Sequence, residues 1–267
     1  VPATEAHEQC AAWLVEKLSG YADTVMVQRF RTRLFNDKGI DGQNIIASFH
    51  PQATQRIILC AHWDSRPFAD HDTDEANWNL PIDGANDGAS GVGVLIENAR
   101  GFHNQPLPEH IGVDIILFDL EDYGPRNDLS ELYYNGQRNH WALGSQYWAA
   151  QHHIRGYQAK YAILLDMVGG PNPNFMKEYF SQNYAGWLSN KVWHIAQDIG
   201  YGDHFVNELG DVISDDHLPL NEVAGIPAID IIDLRPQSIN GCFPDVWHTL
   251  NDNIGNIDKN SLKMVGN

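Results

Sequence analysis

Two adjacent carboxylates, Glu121 and Asp122, end the apolar stretch "DIILFDLEDYG". Neighbouring acids repel each other, and at the end of a buried strand they also lose hydration. A bound cation would offset both costs, because its charge stabilises the ionised form of each acid. We therefore expect further metal ligands elsewhere in the chain.

Other ionisable residues follow apolar runs in the same way. In an open α/β sheet the carboxyl ends of the strands share one edge, where ligands bind, so these side chains are expected to converge. Perturbed ionisable groups cluster at functional sites. Imidazoles with carboxylates and no thiolate are typical of a catalytic zinc with an open coordination position, although the same donors suit other divalent metals. The further candidates are His62, Asp64, Asp87, Asp166, Asp215, Asp216, His217 and His248.

Each candidate also has a structural explanation when it is taken alone. Asp87 or Ser90 can cap the apolar helix that follows, and on that stretch alone the cap is favoured. Asp64 can form a turn, Asp166 can bond to backbone at a strand end, and residues 215–217 can begin a solvated helix. A single histidine is more often structural than a ligand. The recurrence of such residues along the chain is what favours a site.

Charge and motifs exclude several classes of function. With 17 Lys+Arg against 35 Asp+Glu, the formal charge of −18 argues against nucleic acid or an anionic membrane as the main partner. The glycines at 88, 91 and 93 match neither a dinucleotide fingerprint nor a P-loop, and no G-x-S-x-G elbow follows a strand. The sequence has no apolar run of about 20 residues, so no transmembrane helix is expected. No signal-peptide pattern opens the sequence.

The cysteines Cys10, Cys60 and Cys242 lie far apart and form no C-x-x-C pair. A thiolate zinc cluster is therefore not expected. Cys60 ends an apolar run and is predicted to be a core residue, whereas a single bridge between Cys10 and Cys242 stays open.

Apolar spacing predicts alternating strands and helices. Such alternation predicts an α/β fold: one domain over residues 1–267, a three-layer sandwich with helices on both sides of a mixed, mostly parallel sheet. Two long irregular segments, residues 66–84 and 123–143, are expected to form walls of a binding site. The predicted strands are 25–30, 44–49, 56–60, 114–120, 161–167 and 228–234, and the predicted helices are 4–19, 89–102, 144–152 and 185–199.

These motifs resemble a known family. The order of His62-x-Asp64, Asp87 in "GANDGASGV", the pair "ED" and His248 in "HT" is similar to the M28-type zinc aminopeptidase clan. The longer stretches "LLDMVGGPNPNF", "SDDHLPL" and "FPDVWHTLNDNIGNID" resemble the animal-type (type II) glutaminyl-peptide cyclotransferases. The resemblance runs from about residue 44 to the end of the sequence.

The resemblance implies a role for each matching residue. One zinc per chain is held by Asp87, Asp122 and His248, and Glu121 is the general acid/base. Asp166 and Asp215 belong to a catalytic hydrogen-bond network, and Trp247, Phe243 and Trp141 are aromatic positions near the glutamine pocket. Two positions depart from the animal enzymes: Asp122 stands in place of Glu, and Asp230 stands in place of His.

The activity implied by the resemblance is conversion of an N-terminal glutamine of peptides or proteins to pyroglutamate, with release of ammonia. Zinc would serve as a Lewis acid and Glu121 would move the proton. The resemblance also implies an exported enzyme, periplasmic or secreted. The alternative is a two-zinc aminopeptidase, since its five ligands His62, Asp87, Asp122, Asp166 and His248 are all present. A non-catalytic binding module is disfavoured, because neither Glu121 nor any of these ligands has been lost.

Overall fold

A central sheet forms the middle layer of the computed structural model, which describes residues 1–133 and 139–267. Within these ranges six strands pair in the order β1-β2-β4-β3-β5-β8, and β6 pairs with β7 beside them. β4, β3, β5 and β8 run parallel, while β1 and β2 are antiparallel to their neighbours. The strands are β1 (Thr24–Arg33), β2 (Gly39–Phe49), β3 (Gln55–His62), β4 (Ile111–Phe118), β5 (Ala162–Asp166), β6 (Phe175–Lys177), β7 (Phe205–Leu209) and β8 (Ala228–Ile232).

Helices cover both faces of this sheet, because successive residues of each buried strand point to opposite sides and both sides are apolar. Ile45 and Ile115 pack with α1, α2, α5 and α7 on one face, whereas Ile46 and Ile116 pack with α4 and α6 on the other. The predicted three-layer α/β sandwich is confirmed. The helices are α1 (Glu5–Ser19), α2 (Ala89–Asn104), α3 (Ser130–Tyr133), α4 (Leu143–Ala150), α5 (Tyr179–Asp198), α6 (His217–Glu222) and α7 (Lys259–Gly266).

Some elements differ from the sequence predictions. α5 begins at Tyr179, whereas the sequence predicted a helix only from residue 185. The first part was missed because Ala185 has non-helical dihedrals (φ −139°, ψ 39°) that interrupt the apolar period. The short elements β6, β7, α6 and α7 were not predicted, since such segments carry few periodic positions. Cys10, Cys60 and Cys242 are free thiols, so the bridge between Cys10 and Cys242 that the sequence left open is not formed, while Cys60 is buried as expected. Within the described residues no helix is long and apolar enough to cross a membrane.

Parallel pairing brings the candidate residues to one edge. His62 at the end of β3 is in register with Phe118 at the end of β4, and Asp166 ends β5 beside them. The chain then turns sharply at Leu120 (φ +58°) and Met167 (φ +48°), a left-handed conformation that costs energy for residues other than glycine. Glu121 and Asp122 follow the turn at Leu120 directly.

Candidate metal centre and active site

Asp87, Asp122 and His248 form a buried cluster of potential metal ligands. Nε2 of His248 lies 3.2 Å from Oδ1 of Asp122 and 3.4 Å from Oδ2 of Asp87. Oδ2 of Asp87 and Oδ2 of Asp122 have no hydrogen-bond partner, although each is buried. Unpaired buried carboxylate oxygens are costly, so this donor set fits a divalent cation such as zinc.

A second cluster shares one of these residues. Nε2 of His62, only 1% exposed at the side chain, lies 3.0 Å from Oδ1 of Asp87 and 3.3 Å from Oδ1 of Asp166. Asp87 therefore stands between two groups of three potential ligands. Burial raises the pKa of Asp166 to about 7 despite the nearby imidazole of His62.

The backbone N–H of Asp87 is hydrogen-bonded to a distant carboxylate, and the Asp87 side chain does not cap a helix. The N-cap of α2 is Gly88, which makes no side-chain cap, and the hydroxyl of Ser90 donates to the carbonyl of Asn86. The favoured cap explanation for Asp87 was therefore wrong. Instead the Asp252 carboxylate accepts from the backbone N–H groups of Asn86 at 2.7 Å and Asp87 at 3.0 Å. This fixes the turn and leaves the Asp87 side chain free to face the two histidines.

Asp64 binds the backbone of the acidic pair Glu121 and Asp122. Its two carboxylate oxygens accept from the backbone N–H groups of Glu121 at 3.0 Å and Asp122 at 3.2 Å. Asp64 was expected to form a turn in its own segment. The hydrogen bonds that it accepts instead come from a segment more than 50 residues away in the chain. Because hydrogen bonds to a carboxylate are strong, this bridge orients both acids at once.

We expect Asp64→Asn to weaken zinc binding about 10-fold or more. Asparagine retains one acceptor and turns an NH₂ donor toward the other backbone N–H, so the turn of Glu121 and Asp122 shifts. Zinc affinity is measured by competition with a chelator. Asp41→Asn is the matched control, because Asp41 pairs with Arg31 at the exposed surface. Equal zinc affinities for the two variants would contradict this role.

Glu121 faces a cavity of about 320 Å³ that is also lined by Asp87, Asp122 and His248. Burial, followed by the negative charge of Asp215, raises the pKa of Glu121 well above its usual value. A carboxyl group with a raised pKa takes up a proton more readily than an ordinary glutamate, which suits general acid/base chemistry.

Asp215, His217 and Asp230 form a third buried group. A helix does begin at His217, as the structural explanation of residues 215–217 allowed, but these residues are buried and not solvated. Nε2 of His217 lies 3.2 Å from Oε2 of Glu178, and neither carboxylate oxygen of Asp230 has a hydrogen-bond partner. Glu178 also accepts from the backbone at the start of α5. Sequence reasoning missed it, because a single glutamate with no neighbouring motif carries no signal.

Aromatic rings form the wall around His248. Trp247 stacks on it at 3.7 Å between ring centroids, and Phe243 contacts Trp247 at 4.4 Å. Trp141 lies parallel to the His248 ring at 6.3 Å. All three aromatics line the cavity.

The two long segments make different contributions. Segment 123–143 supplies Trp141 to the cavity wall, although residues 134–138 of this segment lie outside the described residues. Segment 66–84 supplies Arg66 behind the wall, where its guanidinium lies 4.7 Å from the Trp141 ring and 3.4 Å from Oδ1 of Asp122. Arg66 also pairs with Asp70 at 2.6 Å. Its role was missed, because one arginine in an irregular segment resembles any surface charge.

The model of Peptidase family M28 matches residues 44–267. A crystal structure of the glutaminyl cyclase of Bacteroides thetaiotaomicron, bound to N-acetylhistamine, superposes with a TM-score of 0.93 and 46% identity, covering 100% of this chain and 88% of that one. A Zn-dependent exopeptidase from Parabacteroides distasonis superposes with a TM-score of 0.94 and 42% identity, covering 100% and 89%.

A curated relative is the glutaminyl-peptide cyclotransferase of Bos taurus, which is 26% identical over 247 residues. The match covers 82% of this chain but 62% of the bovine protein, so the chain spans less than two thirds of that relative's length. The family and the zinc-dependent neighbour indicate zinc as the metal. The chain therefore belongs to peptidase family M28 and, within it, to the glutaminyl cyclase branch.

Proposed function

We propose that this chain is a single-domain glutaminyl-peptide cyclotransferase that converts N-terminal glutamine of peptides or proteins to pyroglutamate and releases ammonia. The observation that carries the proposal is one aromatic-walled cavity of about 320 Å³ that joins Glu121 to Asp87, Asp122 and His248. The Bacteroides thetaiotaomicron glutaminyl cyclase, 46% identical over the whole of this chain, supports it. We further propose that the enzyme is exported.

One zinc per chain would be held by Asp87, Asp122 and His248. This cluster lines the cavity together with Glu121, whereas His62 of the other cluster is not among the lining residues that the structure describes. Zinc bound there would supply Lewis acidity that polarises the γ-carbonyl of the glutamine side chain.

The protein side chains would move the proton. Glu121 would take a proton from the α-amine as the amine nitrogen bonds to the side-chain amide carbon (Cδ) of the glutamine. It would return the proton to the side-chain amide nitrogen, which leaves as ammonia when its bond to that carbon breaks. The raised pKa of Glu121 suits both transfers. Asp166 and Asp215 also line this cavity, and we propose that they hold Glu121 and the substrate amine in place. The rings of Trp141, Phe243 and Trp247 would pack against the substrate and limit the entry of water, which a cyclisation does not need.

The test compares two matched peptides. A Gln-initiated peptide is expected to lose ammonia, with a mass decrease of about 17 Da from the stoichiometry, while the same peptide with N-terminal leucine stays intact. A chelator is expected to stop the reaction, and added zinc to restore it. Release of free leucine without cyclisation of the glutamine peptide would reject the proposal.

The second candidate is a two-zinc aminopeptidase. One observation favours it: His62, Asp87 and Asp166 bring their potential ligand atoms together beside the first cluster. In that case Glu121 would deprotonate water that attacks the peptide bond after the first residue. The leucine peptide in the same assay separates the two functions.

A further inference from the structure

A histidine from the N-terminal helix is buried behind the candidate active site. His7 on α1 is 3% exposed, and its Nε2 lies 2.9 Å from Oδ1 of Asp119. Its ring stacks on Trp63 with the centroids 4.2 Å apart and the planes 15° apart. His7 lies outside residues 44–267, the part that the family model matches.

Both partners of His7 stand next to the residues of the site. Asp119 follows β4, and its carboxylate accepts from the backbone N–H groups of Gln43 and of Leu120, each at 2.8 Å. Leu120 is the left-handed residue directly before Glu121. The carboxylate of Asp119 therefore fixes the turn from which the acidic pair projects.

Trp63 provides the second link. It stands between His62 and Asp64 in the chain, and its backbone N–H donates to Phe118 at 2.9 Å. Its indole N–H donates to the carbonyl of Gln43 at 3.2 Å. The ring of His7 thus contacts the ends of both β3 and β4, the two strands that deliver the acids and imidazole at this edge.

We propose that His7 is a positioning residue for the turn that carries Glu121 and Asp122. Without its N–H, one oxygen of the fully buried Asp119 carboxylate loses one of its two donors and keeps only the backbone N–H of Leu120, and that carboxylate must move toward another partner or water. The strained backbone of Leu120 can relax in response, which displaces Asp122 from His248. The effect on zinc affinity does not depend on the proposed function, whereas the effect on kcat rests on the proposed cyclotransferase activity.

The test uses two replacements at position 7 in the full chain. His7→Phe retains the stacking on Trp63 and removes the donor, whereas His7→Gln restores an N–H donor to Asp119. A purely structural loss is controlled with Leu14→Val or Leu14→Ala on the same helix, whichever matches the melting temperature of His7→Phe. Leu14 is buried and is not part of the site. Zinc affinity is measured by chelator competition, and kcat and KM with a Gln peptide.

We expect His7→Phe to lower zinc affinity and kcat about 10-fold with little change in KM, as changes behind metal ligands commonly do. His7→Gln is expected to recover most of both, and the matched Leu14 variant to retain both. Equal zinc affinities and kcat values for His7→Phe and the Leu14 variant would overturn the proposal, as would a His7→Gln protein as impaired as His7→Phe. Zinc affinity needs no substrate, so this result can be read even from a chain that releases no ammonia.

Discussion

Glu121→Gln is expected to lower kcat on Gln-initiated peptides by about 100-fold or more, the usual contribution of a general acid/base. Glutamine has the same shape but cannot accept and return a proton at neutral pH. The side chain lies in the cavity beside the potential ligands without belonging to either cluster that contains Asp87. Zinc affinity and KM should therefore change much less than kcat.

Steady-state kinetics with ammonia detection and a zinc titration measure these effects. Glu97→Gln is the matched control, because Glu97 forms an exposed pair with Arg100 and should lose no activity. Full kcat in the Glu121→Gln protein would remove Glu121 from the proton transfer. An equal loss of zinc affinity and of kcat would instead assign Glu121 to metal binding.

His248→Ala is expected to abolish tight zinc binding, with a loss of affinity greater than about 100-fold, since even residues behind metal ligands contribute 10- to 100-fold. His248 contributes the imidazole of its cluster, and its Nε2 approaches both Asp87 and Asp122. Removing the imidazole leaves two buried carboxylates that repel each other, so the remaining site favours protonation over metal. Activity on Gln peptides should fall with the zinc content.

The zinc count per chain is measured by elemental analysis of dialysed protein, with His62→Ala as the comparison. One zinc per chain requires that His62→Ala retain it, because His62 belongs only to the other cluster. Two zinc ions in the unaltered protein, reduced to one in each single variant, would favour the aminopeptidase. Zinc retained in His248→Ala would show that the metal lies elsewhere.

Much of the fold followed from pattern alone. The apolar runs that became β3, β4, β5 and β8 were found because strands buried on both faces need continuous Val, Ile and Leu. α1 and α2 were predicted nearly to their ends, since an apolar face at helical spacing identifies a long amphipathic helix. The kinked start of α5 and the short β6, β7, α6 and α7 were not predicted, because they depend on contacts that no local period reports.

The candidate site was predicted in part. Asp87, Asp122 and His248 were identified by residue type and by resemblance, and the structure brings them together. Their roles as ligands stay predictions, as do the roles of Glu121, Asp166, Asp215 and the three aromatics. The supporting residues Arg66, Glu178 and His7 were missed, because an isolated arginine, glutamate or histidine has many ordinary uses.

The sequence by itself determined the types of the longer elements, the donor chemistry and the edge at which the donors would meet, because apolar periodicity and residue type are local properties. Only the tertiary structure decided which acid faces which imidazole. The distances of His248 to Asp87 and Asp122 depend on left-handed turns and on the carboxylates of Asp64 and Asp252. Those carboxylates bind backbone groups far away in the chain, and such long-range hydrogen bonds leave no local pattern in the sequence.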